Sequence, residues 1–103
     1  MYGIIDVDSD IAKQFGFTSD KFHPLSYLWI DGNTIIISII ASKRKGAFRT
    51  LMETIVQNGY DFEIPTPLKR MREIGRKQGW RYGNRYDEEV DEEYMFLTNK
   101  EML

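Results

Sequence analysis

Chemistry in this chain concentrates where an apolar run meets a basic turn. Thr34 to Ala41 reads TIIISIIA, and Lys43, Arg44, Lys45, Gly46 and Arg49 follow closely. The apolar run predicts a strand covered on both faces, and the pattern from Ala47 predicts a helix. Cations therefore crowd a helix N-terminus, where the backbone dipole is already positive and each costs about 0.3–1 kcal/mol. Helix stability alone would favour Asp or Glu there. An anion on the turn reverses that balance, because free amide N–H groups, the dipole and the flanking cations would all face it. Gly46 permits close backbone approach. The turn reads as a phosphate or pyrophosphate site, against the plainer reading of a solvated basic turn. It is not a Walker loop, since no Gly-Lys-Ser/Thr follows a spaced glycine.

Three side chains are candidates for acid–base work. His23 is the sole histidine. Its ordinary titration range suits a general base, while the Pro24 that follows suits a loop residue. Glu63, near the end of an expected strand, would act as a base through a water or simply lie on the surface. Tyr82 is a proton-donor candidate that strand alternation also explains, as it does Tyr86. Lys69, Arg70, Arg72, Arg76 and Lys77 share an expected helix, and Arg81 and Arg85 continue the charge. With the tyrosines interleaved, this basic block from 43 to 86 suits nucleic acid or an acidic protein partner. The alternative is a solvated helix face with a Lys69–Glu73 pair. Asp87, Glu88, Glu89, Asp91, Glu92 and Glu93 form an acidic turn whose spacing does not match a calcium loop, so no metal site is expected. A solvated hairpin turn accounts for it, and contact between acidic and basic blocks of two copies, a homodimer, is the alternative.

The formal net charge of −2 over 103 residues conceals this segregation. Residues 1–42 carry net −3, residues 43–86 net +7, and residues 87–103 net −6. Apolar residues at 42% support one modest core, so one domain over 1–103 is expected. The absence of cysteine excludes disulfide scaffolds, Cys-ligated zinc and thiol nucleophiles. No apolar run approaches about 18 residues, so no membrane span is expected. No basic stretch precedes an apolar core at the N-terminus, so a cytoplasmic protein is expected.

The elements that must position these residues follow from pattern. Tyr2 to Ile5 predicts a short strand, and Asp8-Ser9-Asp10 a helix cap. Tyr27 to Ile30 and Thr34 to Ala41 predict a hairpin about Asp31-Gly32. A helix is expected from Ala47 to Asn58, stopped by Gly59, with Phe48, Leu51, Met52 and Ile55 as its apolar stripe. A strand follows from Tyr60 to Ile64. Thr66 as cap and Pro67 at the first position predict a second helix to Gln78, its inner face Leu68, Met71, Ile74 and Gly75. Strands Trp80 to Tyr86 and Tyr94 to Thr98 complete an α+β fold with one mixed sheet and a strand–helix–strand–helix unit.

This succession, with a glycine turn after the buried strand and Gly79-Trp80 ending the second helix, resembles the GNAT acetyltransferase superfamily over about residues 27–98. The resemblance implies that acetyl-CoA or another acyl-CoA is the cofactor and an amine the acceptor. It implies that Ile39, Ile40 and Ala41 pair with the pantetheine arm. It also implies that amides around Lys43, Arg44, Lys45, Gly46, Ala47, Phe48 and Arg49 hold the pyrophosphate. Phe48 stands where the family has a small residue, and Gly75 where it often has a tyrosine acid. Residues 1–22 abridge the family's N-terminal part. In these respects the chain resembles shortened GNAT-like proteins of bacteriophages, some of which are non-catalytic and bind host or virion partners.

Overall fold

The computed structural model describes residues 2–100. Strand β1 (Tyr2–Asp6) leads to helix α1 (Asp10–Phe15), capped by Ser9, whose hydroxyl accepts the Ala12 N–H, and ended by Gly16 at φ 73°. Strands β2 (Tyr27–Asp31) and β3 (Thr34–Ile39) form the expected hairpin. Its loop residues are Gly32 and Asn33, not Asp31 and Gly32, because the left-handed φ of 60° falls on Gly32 and Asp31 pairs with Thr34. Helix α2 (Ala47–Gln57) stops at Gly59, which takes φ 86° while the Tyr60 N–H returns to Ile55 O. Strand β4 (Asp61–Pro65), helix α3 (Lys69–Gln78) and the antiparallel pair β5 (Arg81–Asp87) and β6 (Glu92–Thr98) follow.

All six strands form one mixed sheet in the order β1-β2-β3-β4-β6-β5. Among the described residues only the neighbours β3 and β4 run parallel. The α+β architecture expected from the sequence is therefore present. Strand β6 follows β5 in the chain but lies between β4 and β5.

The core occupies one side of this sheet. Ile5, Leu28, Ile30, Ile35, Ile37, Phe62, Ile64 and Leu97 supply its floor, and Ala12, Phe15, Leu51, Met52 and Ile55 its roof. Met71 of α3 and Trp80 pack against the same cluster. Both crossovers, β3 to β4 and β4 onward to β5, run in the same sense, which places α2 and α3 on one face. Strand β3 is thus covered on one face only, in contrast to the expected two. Ile35 and Ile37 are buried, Ile36 on the other face is half-buried, and Ile39 is 50% exposed. The isoleucine run ends earlier than expected as a strand, at Ile39 rather than Ala41.

The second helix departs from its expected start. Thr66 takes φ 46° and gives its N–H to Met95 O, extending the β4–β6 ladder instead of capping a helix. An N-cap needs extended backbone, and Leu68 supplies it two residues later without a side-chain acceptor. Leu68 is consequently 69% exposed rather than on the inner face, and Met71 and Ile74 are half-buried. Tyr60 and Trp80, expected as the first residues of their strands, lie just ahead of β4 and β5 and pack edge-on to Phe15 and Phe62. Gly75 is a close-packing glycine: a Cβ there would stand 2.8 Å from Leu97 and 3.0 Å from Trp80. Gly75→Ala is therefore expected to destabilise the fold by about 1–2 kcal/mol net, overpacking outweighing the helix-propensity gain of about 1 kcal/mol, as read from urea unfolding midpoints.

Candidate functional site

The parallel strands part company halfway along. They pair at Thr34 with Asp61, Ile35 with Phe62 and Ile36 with Glu63, and no further. Beyond that point β3 continues to Ile39 paired with β2, and β4 continues to Pro65 paired with β6 on its other edge. Among the described residues no ladder pair joins β3 to β4 past Ile36 and Glu63, so the backbone edges that face each other there are open ahead of the turn before α2. Ala41 is tied to the β2 side: its N–H donates to Ser26 Oγ at 2.9 Å, and its carbonyl accepts from the His23 N–H at 2.8 Å. The backbone N–H and C=O of Ile40 meet no partner among the described residues. Successive residues of an extended chain point oppositely, so Ile40 presents these groups to the side away from β2.

The α2 N-terminus follows this open edge in the chain. Gly46 occupies the cap position at φ 82°, where a side chain would be strained but would meet open space. It offers no side-chain acceptor, and the first turn holds no acid. The Ala47 N–H returns to Arg44 O at 3.2 Å. The amides of Gly46, Phe48 and Arg49 have no acceptor among the described residues. Three donors thus face outward on the positive end of an 11-residue helix. Phe48 packs against the core, leaving the turn's outer side uncrowded.

The flanking cations do something the sequence did not reveal. Lys43 Nζ donates to Ser19 O at 2.8 Å, and Arg44 Nε to Asp20 O at 3.2 Å. Arg49 pairs with Glu53 at 3.1 Å, an exposed contact one helical turn along. Lys45 alone of the four has no such bond among the described residues. The turn is therefore stapled to the Thr18–Phe22 loop, with the Lys43 N–H on Lys21 O and Ser42 bridged to Phe22. That loop is itself tied by carboxylates. Ser19 holds the Asp8 carboxyl below its ordinary value, in part through its N–H at 2.9 Å. The Thr18 hydroxyl does the same for Asp20, with smaller help from Lys21 and Arg44.

The acid–base candidates do not converge. Glu63 lies on the face opposite the helices, 8% exposed, and accepts from Arg85 Nε at 2.9 Å and its Nη2 at 2.5 Å. The same pair raises the Arg85 guanidinium above its ordinary range, with the Glu63 hydrogen bonds as the main cause. Arg85 also covers the Phe96 ring at 5.0 Å, and that ring lies where a Cβ on Gly83 would be. Glu63 is thus held by a fork, and its carboxylate is spent. His23 is exposed beside the end of β3, joined to it only through its backbone. Tyr82 lies on the helix side of β5 and, with Trp80, lines a groove of about 550 Å³ beside Lys69, Arg72, Glu73 and Arg76 on α3. No Lys69–Glu73 ion pair forms. Sequence reasoning missed Ser26, and it placed Arg85 in the basic block without its pairing to Glu63. A serine just before a strand carries no mark, and the Glu63–Arg85 pair spans an intervening strand that no local pattern reveals.

Compared with protein-family models, curated proteins and solved structures, the chain shows no match. Among the described residues no helix is long and apolar enough to cross a membrane. Asp8 and Asp20 have depressed values, so what they contribute is present above the ordinary carboxyl range near pH 4 and lost as pH falls through the lowered values. Amide resonances of Ser19 and Lys21 are expected to hold steady from pH 7 to about 4 and to shift below it, and Asp8→Asn is expected to remove the step at Ser19 in a pH series of two-dimensional NMR spectra.

Proposed function

We propose that this chain is a short GNAT-like domain that binds acetyl-CoA or another acyl-CoA and transfers the acyl group to an amine. The observation that supports this reading is the parting of β3 from β4 directly ahead of the α2 N-terminus, with the Gly46, Phe48 and Arg49 amides unpartnered. An extended arm ending in a pyrophosphate matches an open strand edge followed by three outward N–H groups. In this reading Ile40 offers its amide and carbonyl to the arm, and Lys45 adds charge at the phosphates. The bound acyl-CoA supplies an activated thioester. The acceptor nitrogen attacks the thioester carbonyl, forming a C–N bond as the C–S bond breaks. The nitrogen's proton goes to water, since Glu63 is occupied by Arg85, and the departing sulfur takes a proton to leave as thiol.

A second reading rests on the α3 groove. Its three cations and two aromatic rings suit a non-catalytic module that holds nucleic acid or an acidic protein. Binding of that kind weakens steeply with salt. Calorimetric titration with acetyl-CoA is expected to show one saturable site. Gly46→Glu is expected to weaken it by more than about tenfold through charge at the pyrophosphate, while Gly46→Asn, which tolerates left-handed backbone, keeps it within a few-fold. No heat at millimolar cofactor overturns the proposal. Binding without thiol release on a panel of amines reduces it to binding alone, and oligonucleotide affinity that falls with salt then selects the second reading.

A further inference from the structure

Among the described residues, strand β5 pairs with β6 on one side and with nothing on the other. It is a seven-residue edge with an unbroken register, and it contains no proline. Edges of this length usually carry a device that prevents pairing with another chain. Here the exposed side instead presents Tyr82, 49% exposed, and Tyr86, 56% exposed. Of its charges, Arg85 is already committed to Glu63.

The strand reads Arg81-Tyr82-Gly83-Asn84-Arg85-Tyr86-Asp87, and about Asn84 it complements its own reverse. Run antiparallel to a second copy with Asn84 at the centre, it sets Arg81 opposite Asp87 twice and Tyr82 opposite Tyr86 twice. Gly83 falls opposite Arg85, so the two committed arginines do not oppose each other. Alternation keeps each pair on one face: Arg81 and Asp87 on the open face of the sheet, and the tyrosines on the helix side. Asp87 accepts the Glu89 N–H with one oxygen at 3.0 Å, leaving the other for an arginine. The flanks agree. Before Arg81 lies the α3 C-terminus with Arg76 and Lys77, and after Asp87 lies the turn with Glu88, Glu89 and Asp91. A twofold axis brings each acidic turn to the other copy's basic helix end. A one-residue slip loses the charge match and turns the tyrosines to the wrong face.

We propose that the chain forms a twofold dimer by antiparallel pairing of β5 with β5 of a second copy, centred on Asn84, which joins the two six-stranded sheets edge to edge. The acidic turn after β5 and the basic stretch from Arg76 to Arg81 are then the two halves of one self-complementary contact.

Sedimentation velocity over a concentration series tests this. The unaltered chain is expected to dimerise. Arg81→Glu alone and Asp87→Arg alone are each expected to weaken the dimer by about tenfold or more, since each sets two like-charge pairs across the axis. An equimolar mixture of the two variants is expected to recover dimer, because every opposed pair is then of opposite sign. Recovery also requires that both variants are folded. Hydrogen exchange of the unaltered chain serves as an independent readout, with β5 amides slowing as concentration rises. A chain that stays monomeric throughout overturns the proposal. So do single variants that dimerise undiminished, a mixture that remains monomeric while both variants show native circular dichroism, or a dimer whose β5 exchange does not change on dilution. A monomer that binds oligonucleotide through Arg81 also overturns it and assigns the edge to nucleic acid.

Discussion

Three residue pairs between β3 and β4 join the two halves of this sheet. On one side stand β1, β2 and β3, antiparallel throughout, and on the other β4, β6 and β5, also antiparallel. So short a seam cannot hold the halves together by its ladder alone. Ile35 and Phe62 face each other across it within the core, and α2 lies over both. At the near end the seam is pinned further, where the Asp61 N–H reaches Asn33 O and the Asn33 side chain reaches Gly59 O. Past that pinned end the ladder stops at Ile36 and Glu63, and the facing backbone edges of β3 and β4 are unpaired among the described residues. The free groups of Ile40 lie just past that unpaired stretch, ahead of the α2 N-terminus.

The second organising fact is that every helix lies on one side. The opposite face must then cover its own polar groups. It does so by building upward from glycine: Phe96 lies over Gly83, and Arg85 lies over Phe96 and grips Glu63. A carboxylate that is 8% exposed is tolerable because both oxygens receive charge-assisted hydrogen bonds from one rigid fork. Near the other edge the face is apolar and open, with Tyr2 packed on Trp29 at 5.3 Å and Ile4 55% exposed.

Much of the architecture was legible because it is local. Gly59 and Gly79 stop their helices, Ser9 caps one, and the apolar stripe of Leu51, Met52 and Ile55 faces inward as its spacing demands. The errors share a cause, which is that sequence periodicity does not report which sheet face is covered or where a backbone hydrogen bond goes. Five isoleucines implied two buried faces, yet the crossover sense leaves one of them half open. Thr66-Pro67 has the composition of a helix start, but the Thr66 amide finds the Met95 carbonyl first. At the candidate site the glycine turn could be read from its place after an apolar run. The staple from Lys43 and Arg44 to the Ser19 and Asp20 carbonyls could not, since those acceptors are backbone atoms that any residue would supply.

The interior place of β6 carries a consequence for how the chain assembles. Strand β4 meets its antiparallel neighbour only when residues beyond the β5–β6 turn are available, and the Asn99 side chain then caps the Phe62 N–H while the Thr98 hydroxyl seals the Phe62 carbonyl. During synthesis the first hairpin and α1 can therefore organise early, while the Phe62–Ile64 edge waits unpaired. An unpaired strand edge of this kind is open to wrong pairing while β6 is absent, and it closes only when β6 lies beside β4.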